Sequence, residues 1–193
     1  WTRSNNFPTS AGAYKTVYES TTTNFVMKLQ PDLQTVAYAT YFWGDQMDVD
    51  EAGNVYIVES TSASSNPTTA GAYDTSFNGT RDLYIAKLNT EGNALVYATY
   101  LGGSSDDGFA DIAVDPAGFA YVTSTTRSTD FPTTAGAFDT SFAENHYSEE
   151  DLTVTKLNRD GSDLVYSTYL GGERQDMEPK IKVDDSGHRI HGV

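Results

Sequence analysis

The chain has 193 residues, 38% of them hydrophobic, with 13 tyrosines, no cysteine and a formal net charge of −15. The lack of cysteine excludes a disulfide framework and thiolate metal sites, and the charge argues against nucleic acid or anionic lipid as partners, since both are held through Lys and Arg. No apolar run approaches the roughly 20 residues that cross a bilayer, so membrane insertion is not expected, and no leader precedes Trp1, which reads as a processed or partial chain.

The first recognisable stretch is "FPTSAGAYKTVY" (7–18). Its proline fixes an extended start, and the Ser or Thr that follows is expected to cap a single helical turn at Ala-Gly-Ala. Two strands come next, "NFVMKL" at 24–29 and "VAYATYFW" within 35–43. Then "QMDVD" alternates apolar residues, "DEAG" supplies a turn, and "NVYIVES" reads as a further strand. In that turn Asp bonds the backbone ahead and Gly accepts a positive φ.

Everything after this restates the phrase. "NPTTAGAYDTSF" (66–77) and "FPTTAGAFDTSF" (131–142) repeat the first stretch. "LNTEGNALVYATYLGG" (88–103) and "LNRDGSDLVYSTYLGG" (157–172) repeat "LQPDLQTVAYATYFWG" (29–44). "DIAVDPAGFAYVTS" (111–124) and "KIKVDDSGHRIHGV" (180–193) repeat 46–59. Val193 falls opposite Ser124 and Glu59, and Trp1 opposite the residues that follow those two. The single domain 1–193 therefore divides into units 1–59, 60–124 and 125–193, with the cut inside a unit. Four short antiparallel strands per unit, repeated, predict an all-β fold of β-propeller-type blades. A blade with two apolar faces cannot bury both alone and must stack on its neighbours. Tyr38, Tyr97, Tyr166 and Tyr41, Tyr100, Tyr169 are the expected stacking aromatics.

The stretch "LVYATYLGGSSDDGFADIAVDPAGFAYVTSTTRSTDFPTTAGAFDTSF" resembles the bacterial SBBP beta-propeller repeat, with its Tyr-Leu-Gly-Gly strand, acidic glycine-serine loop, Ile-Ala-Val-Asp strand, Tyr-Val-Thr strand and Phe-Pro-Thr segment. "HRIHGV" at the end departs from that pattern. The resemblance implies a secreted or cell-surface bacterial protein and carries no catalytic residues with it. It also implies that the Ile-Ala-Val-Asp strand lines the central axis. On that basis 24–43 is the outer half of one blade, 180–193 the inner half of another, and two intact blades lie between.

Residues present in every unit read as scaffold, because a catalytic centre is normally one asymmetric constellation. Lys28, Lys87 and Lys156 recur with Asp50, Asp115 and Asp184; the plain expectation is a turn Asp and a snorkelling Lys, with a Lys–Asp contact as the alternative. Asp106, Asp107 and Asp111 cluster in a glycine loop of the kind that offers oxygen ligands to calcium, although the spacing is not that of an EF-hand, and a solvated acidic loop is the expectation. His188 and His191 lie three apart on an expected strand and point to opposite faces, which argues against a zinc pair. His146 sits in the acidic insertion "AENHYSEED", expected to be exposed, and Asn78-Gly79-Thr80 forms an N-glycosylation sequon. The inner-strand positions Asp48, Ala113 and Lys182 form no metal set. No catalytic, cofactor or metal site is therefore expected.

The expected role is that of a non-enzymatic extracellular structural or adhesive module that joins copies of itself head to tail. Two alternatives stand beside it: a carbohydrate- or protein-binding propeller using aromatics on the Phe-Pro-Thr-Thr-Ala-Gly-Ala-Phe loops, and a propeller lyase or lactonase.

Overall fold

The computed structural model of the protein describes residues 2–18, 24–143, 150–172, 178–184 and 189–192. Twelve strands occur in them: β1 (Asn24–Leu29), β2 (Val36–Phe42), β3 (Gln46–Val49), β4 (Val55–Thr61), β5 (Asp82–Leu88), β6 (Leu95–Leu101), β7 (Asp107–Val114), β8 (Ala120–Thr126), β9 (Asp151–Leu157), β10 (Leu164–Leu170), β11 (Lys180–Val183) and β12 (Arg189–Gly192). No helix occurs among the described residues. Two sheets are complete antiparallel meanders of four strands, β3-β4-β5-β6 and β7-β8-β9-β10, and two are pairs, β1-β2 and β11-β12. The expected two full blades and two half-blades are thus present, and "HRIHGV" contributes a strand despite its departure from the repeat pattern.

Local chemistry sets the strand boundaries. Between β3 and β4 the Asp50 carboxylate accepts the Asn54 N–H at 2.9 Å, and Asp115 does the same for Phe119 at 2.9 Å between β7 and β8. Gly53 and Gly118 close these turns at φ 90° and 85°, the left-handed region that costs glycine nothing. Between β5 and β6 the Asn89 side chain accepts the Asn93 and Ala94 N–H groups, and Asn158 repeats this for Ser162 and Asp163.

The blades stack face to face through three apolar clusters. Val26, Tyr38 and Phe42 of the first half-blade meet Val55, Ile57, Tyr84, Ala86 and Tyr100 of the first full blade. Tyr56, Ile85, Tyr97 and Leu101 meet Ile112, Val122, Leu157 and Tyr169 of the second. Tyr121 and Val154 then meet Ile181 of the last half-blade. A full blade is covered on both sides, which is why every residue of β5 except Lys87 is buried. At about 25 cal/mol per Å² and 150–250 Å² per aromatic ring, each buried tyrosine contributes several kcal/mol before its entropy cost.

The repeated Phe-Pro-Thr insertions run back along the outermost strand of their own blade. Ser10 N–H donates to the Ala39 carbonyl and Tyr41 N–H to Lys15; Thr69 with Ala98 and Tyr100 with Asp74, then Thr134 with Ser167 and Tyr169 with Asp139, repeat the pattern. A tyrosine hydroxyl clasps each insertion. Tyr100 donates to the Ala63 carbonyl at 2.7 Å and accepts Asn66 N–H at 3.0 Å; Tyr41 and Tyr169 do likewise. The expected helical turn is absent. Ser10-Ala-Gly-Ala13 and its two copies are β-turns, with hydrogen bonds of 3.1 Å from the fourth residue to the first. Their third residues, Gly12, Gly71 and Gly136, have φ of 77°, 80° and 78°, the type II signature. A left-handed third residue cannot continue a helix, so the Ser or Thr has no helix to cap.

Candidate functional site: half-blade edges and the axial mouth

The half-blades leave strand edges open. In the full blades β4 pairs with β5, Val55 opposite Leu88 and Tyr56 opposite Lys87, and β8 pairs with β9, Ala120 opposite Leu157. Among the described residues β1 pairs only with β2 and β12 only with β11. The inner strand β3 lies beside the vacant place, and its Met47 is 58% exposed, whereas Ile112 at the same place in β7 is 4% exposed under its neighbour. A cleft of about 370 Å³ runs there, lined by Asn24, Phe25 and Val26 on the open side and by Gln46, Met47 and Ile57 on the other. Its mixed lining, with backbone edges on one side and Met47 and Ile57 on the other, lies where an inner β-hairpin of the kind β3–β4 forms would sit.

The Lys–Asp contact forms inside each full blade. Lys87 Nζ stands 3.4 Å from Asp50 Oδ2 and donates to the Tyr56 hydroxyl at 2.5 Å, and Lys156 stands 3.8 Å from Asp115. The Tyr56 hydroxyl is pushed well above its ordinary pKa by burial and the nearby Asp50. Burial alone would raise Asp50 too, but the Asn54 hydrogen bonds and the Lys87 charge outweigh it and hold the carboxyl below its usual range. Lys28 is exposed; the aspartate of its blade would come from the inner hairpin that its sheet lacks.

The acidic loop is a joint between blades, neither a solvated loop nor a cluster of ligands. Asp106 pairs with Arg81 at 3.4 Å. Asp111 accepts the Ile181 N–H of the neighbouring inner strand at 3.0 Å and stands 3.9 Å from Lys180 Nζ. Asp107 is wholly buried. It accepts Gly103 N–H and Ser128 Oγ–H at 2.8 and 2.9 Å, and the Thr126 hydroxyl. Its carboxyl is raised to about 6, because burial outweighs those bonds and Asp82 adds a like charge. Asp82, also buried, is raised for the same first reason and accepts Asn78 and Gly79 N–H groups. The expectation of a solvated loop fails because the backbone of 105–107 is drawn against Thr80 and Arg81. Three carboxylates with three separate sets of partners do not converge on an ion, and no group of three or more such ligands occurs among the described residues.

A second cavity, of about 550 Å³, opens where the starts of β3, β7 and β11 converge, between Gln46, Phe109, Glu178 and Lys180. Phe109 and Glu178 occupy the same bulge position in successive repeats, at φ 44° and 56°. Asp48, Ala113 and Lys182 lie at one level of the three inner strands, opposite Tyr56, Tyr121 and Ile190. Asp48 accepts the Val114 N–H at 2.8 Å, an inner-strand contact that sequence reasoning missed. Nothing in the repeat pattern signals it, since only one unit has Asp there. Asn78 of the sequon is exposed, with Nδ2 donating to Asp74 at 2.6 Å. His146 and His188 lie outside the described residues, and His191 is placed only as a strand residue opposite Ile181. No described helix is long and apolar enough to cross a membrane.

The aromatics expected to form a binding surface on the insertions are mostly occupied. Phe131 is buried, and Tyr14 and Tyr73 pack against the inter-blade clusters. Phe138 alone of these stands clear, at 80% exposure.

Four-stranded antiparallel meanders stacked face to face, with their first strands gathered about one line, define a β-propeller-type array. Within it residues 96–132 match the SBBP family model, a beta-propeller repeat. The matched stretch is well under half of the chain and bears out the resemblance read from the residues. It runs from β6 through β7 and β8 to Pro132, so it spans parts of two successive blades and the loop that carries Asp107. No curated protein matches the chain.

Proposed function

We propose that the protein is a non-enzymatic extracellular or cell-surface structural module, joined head to tail through its half-blades to copies of itself or to further repeats. One observation carries this reading: among the described residues the halves lack complementary strands, β1–β2 the inner pair and β11–β12 the outer pair. Transferring the β4–β5 and β8–β9 registers to such a joint places Arg189 opposite Leu29, Ile190 opposite Lys28, and His191 opposite Met27. Two chains with twelve strands each would close six blades; an unclosed rotation would give a filament. Acidity and the secreted character of SBBP-like proteins support the location. The test is light scattering across a concentration series. Mass should rise with concentration, and deletion of 180–193 should abolish the rise while leaving the second full blade folded. A chain that stays monomeric whether or not those residues are present counts against the reading.

A binding role draws on the axial cavity, where the 63%-exposed Phe109 stands near Arg81 and Lys180. A glycan array tests it: hits lost on Phe109→Ala support carbohydrate recognition there, and a blank array removes it.

A further inference from the structure

Two joints inside the chain are built alike. In the first, the β5–β6 turn lies beneath the ring of Tyr38, and the Gly92 carbonyl accepts the Tyr14 N–H at 2.9 Å. In the second, the β9–β10 turn lies beneath Tyr97, and Gly161 accepts the Tyr73 N–H at 2.8 Å. A Cβ on Gly92 would stand 2.2 Å from Tyr38 Cδ2, and one on Gly161 2.4 Å from Tyr97 Cδ2; both glycines have φ of 67°. Nothing larger than hydrogen fits under either ring.

The third copy of this surface is Tyr166 with Phe138 on the second full blade. No described hairpin covers it. Tyr166 is half-buried, Phe138 is 80% exposed, and the Phe138 N–H meets the Tyr166 hydroxyl at 3.2 Å instead of a glycine carbonyl. The outer hairpin that the chain carries at its other end is β1–β2. Its turn holds Leu33 at the place of Gly92 and Gly161, at φ 56° and 74% exposed. The conformation is right and the residue is wrong. In the geometry of the internal joints, a Leu33 Cβ would overlap the ring of Tyr166.

We propose that the Tyr166–Phe138 face is a docking site for the outer β-hairpin of a repeat with glycine at the left-handed turn position, and that Leu33 makes a second copy of this chain the poorer occupant. The proposal rests on the half-blade reading and names the partner it selects. That partner has the turn pattern of Asn89–Gly92 and Asn158–Gly161: asparagine, two further residues, glycine. Its glycine carbonyl takes over the Phe138 N–H, and its backbone slides beneath Tyr166. Leu33 is then a built-in clash against the wrong partner, the repulsive half of specificity.

Sedimentation equilibrium of the full chain and of Leu33→Gly tests this, with melting curves to show that both are folded. The glycine variant should associate at least tenfold more tightly than the parent. The double variant Leu33→Gly with Tyr166→Ala should lose that gain, because the glycine then has no ring above it. Equal association of parent and Leu33→Gly would overturn the proposal and leave the half-blade reading standing. A failure of every variant to associate at the highest soluble concentration would overturn both.

Discussion

β5 and β1 hold the same place in successive blades and have opposite surroundings. In β5 every residue but Lys87 is buried, while in β1 only Val26 is. The inner strands repeat the contrast, with Ile112 of β7 covered and Met47 of β3 open. The strands share an apolar pattern, with Phe25, Val26 and Leu29 where β5 has Tyr84, Ile85 and Leu88, so the difference in burial reflects what lies alongside. A blade's own residues decide that it is a four-stranded sheet; its neighbours decide how much of it is buried. In a stacked array, stability is a sum of units and the interfaces between them.

The contrast predicts unequal costs at equivalent positions. Tyr97→Ala removes a buried ring packed between two blades and should cost about 3–5 kcal/mol in denaturant unfolding. Tyr166→Ala, at the same place in the next repeat but half-buried, should cost clearly less. Equal losses would mean that the covering blade contributes nothing at this position.

The joint between the two full blades should make stability depend on pH. Folding raises the Asp107 carboxyl to about 6, chiefly through burial. The stabilisation is therefore fully present below the unfolded value near 4 and is lost as pH rises through 6. By linkage that shift corresponds to about 3 kcal/mol. Glu59, half-buried, is raised to about 7 by desolvation and the Asp45 charge and acts in the same direction. Unfolding free energy should fall between pH 4 and pH 8, and Asp107→Asn should flatten part of the fall. A profile that rises over this range would contradict the raised carboxyls of both groups.

Smaller effects come from the repeated lysines. Lys87→Met strips a nearly enclosed ion pair and hydrogen bond from Asp50 and Tyr56 and should cost about 2 kcal/mol, the range for hydrogen bonds to charged groups. Lys28→Met, on the open strand, should stay within about 0.5 kcal/mol by the same melts. The smallest expected change is Met47→Thr, also within about 0.5 kcal/mol, whereas Ile112→Thr should be strongly destabilising. In an assembled state Lys28 and Met47 should become costly, and that change would register the joint.

Much of the fold was legible because the repeat carries its own punctuation. Asp50 and Asp115 start turns and Gly53 and Gly118 end them, so strand positions could be placed from residues alone, whereas the division into half-blades drew on the resemblance to the SBBP repeat, which supplied the inner strand. The docking of each insertion along an outer strand was not legible. It rests on backbone pairs such as Thr69 with Ala98, which leave no side-chain pattern in the sequence. Asp107 misled for a related reason: glycine, serine and aspartate compose a solvated loop and a buried joint equally well. Leu33 looked like an ordinary turn residue, and its meaning depends on the tyrosine ring that stands over Gly92 some 60 positions along the chain.

The insertions bear on how the proposed joint could propagate. Each lies along the rim of its blade and satisfies backbone groups that would otherwise invite a passing strand. Among the described residues the flanks are thereby covered, and the open strand edges are those of the two half-blades at opposite ends of the stack. In a polymer chemist's terms, the head-to-tail joint proposed above would make the protein a bifunctional monomer with inert sides, a unit that would extend in a line or cyclise and would not branch.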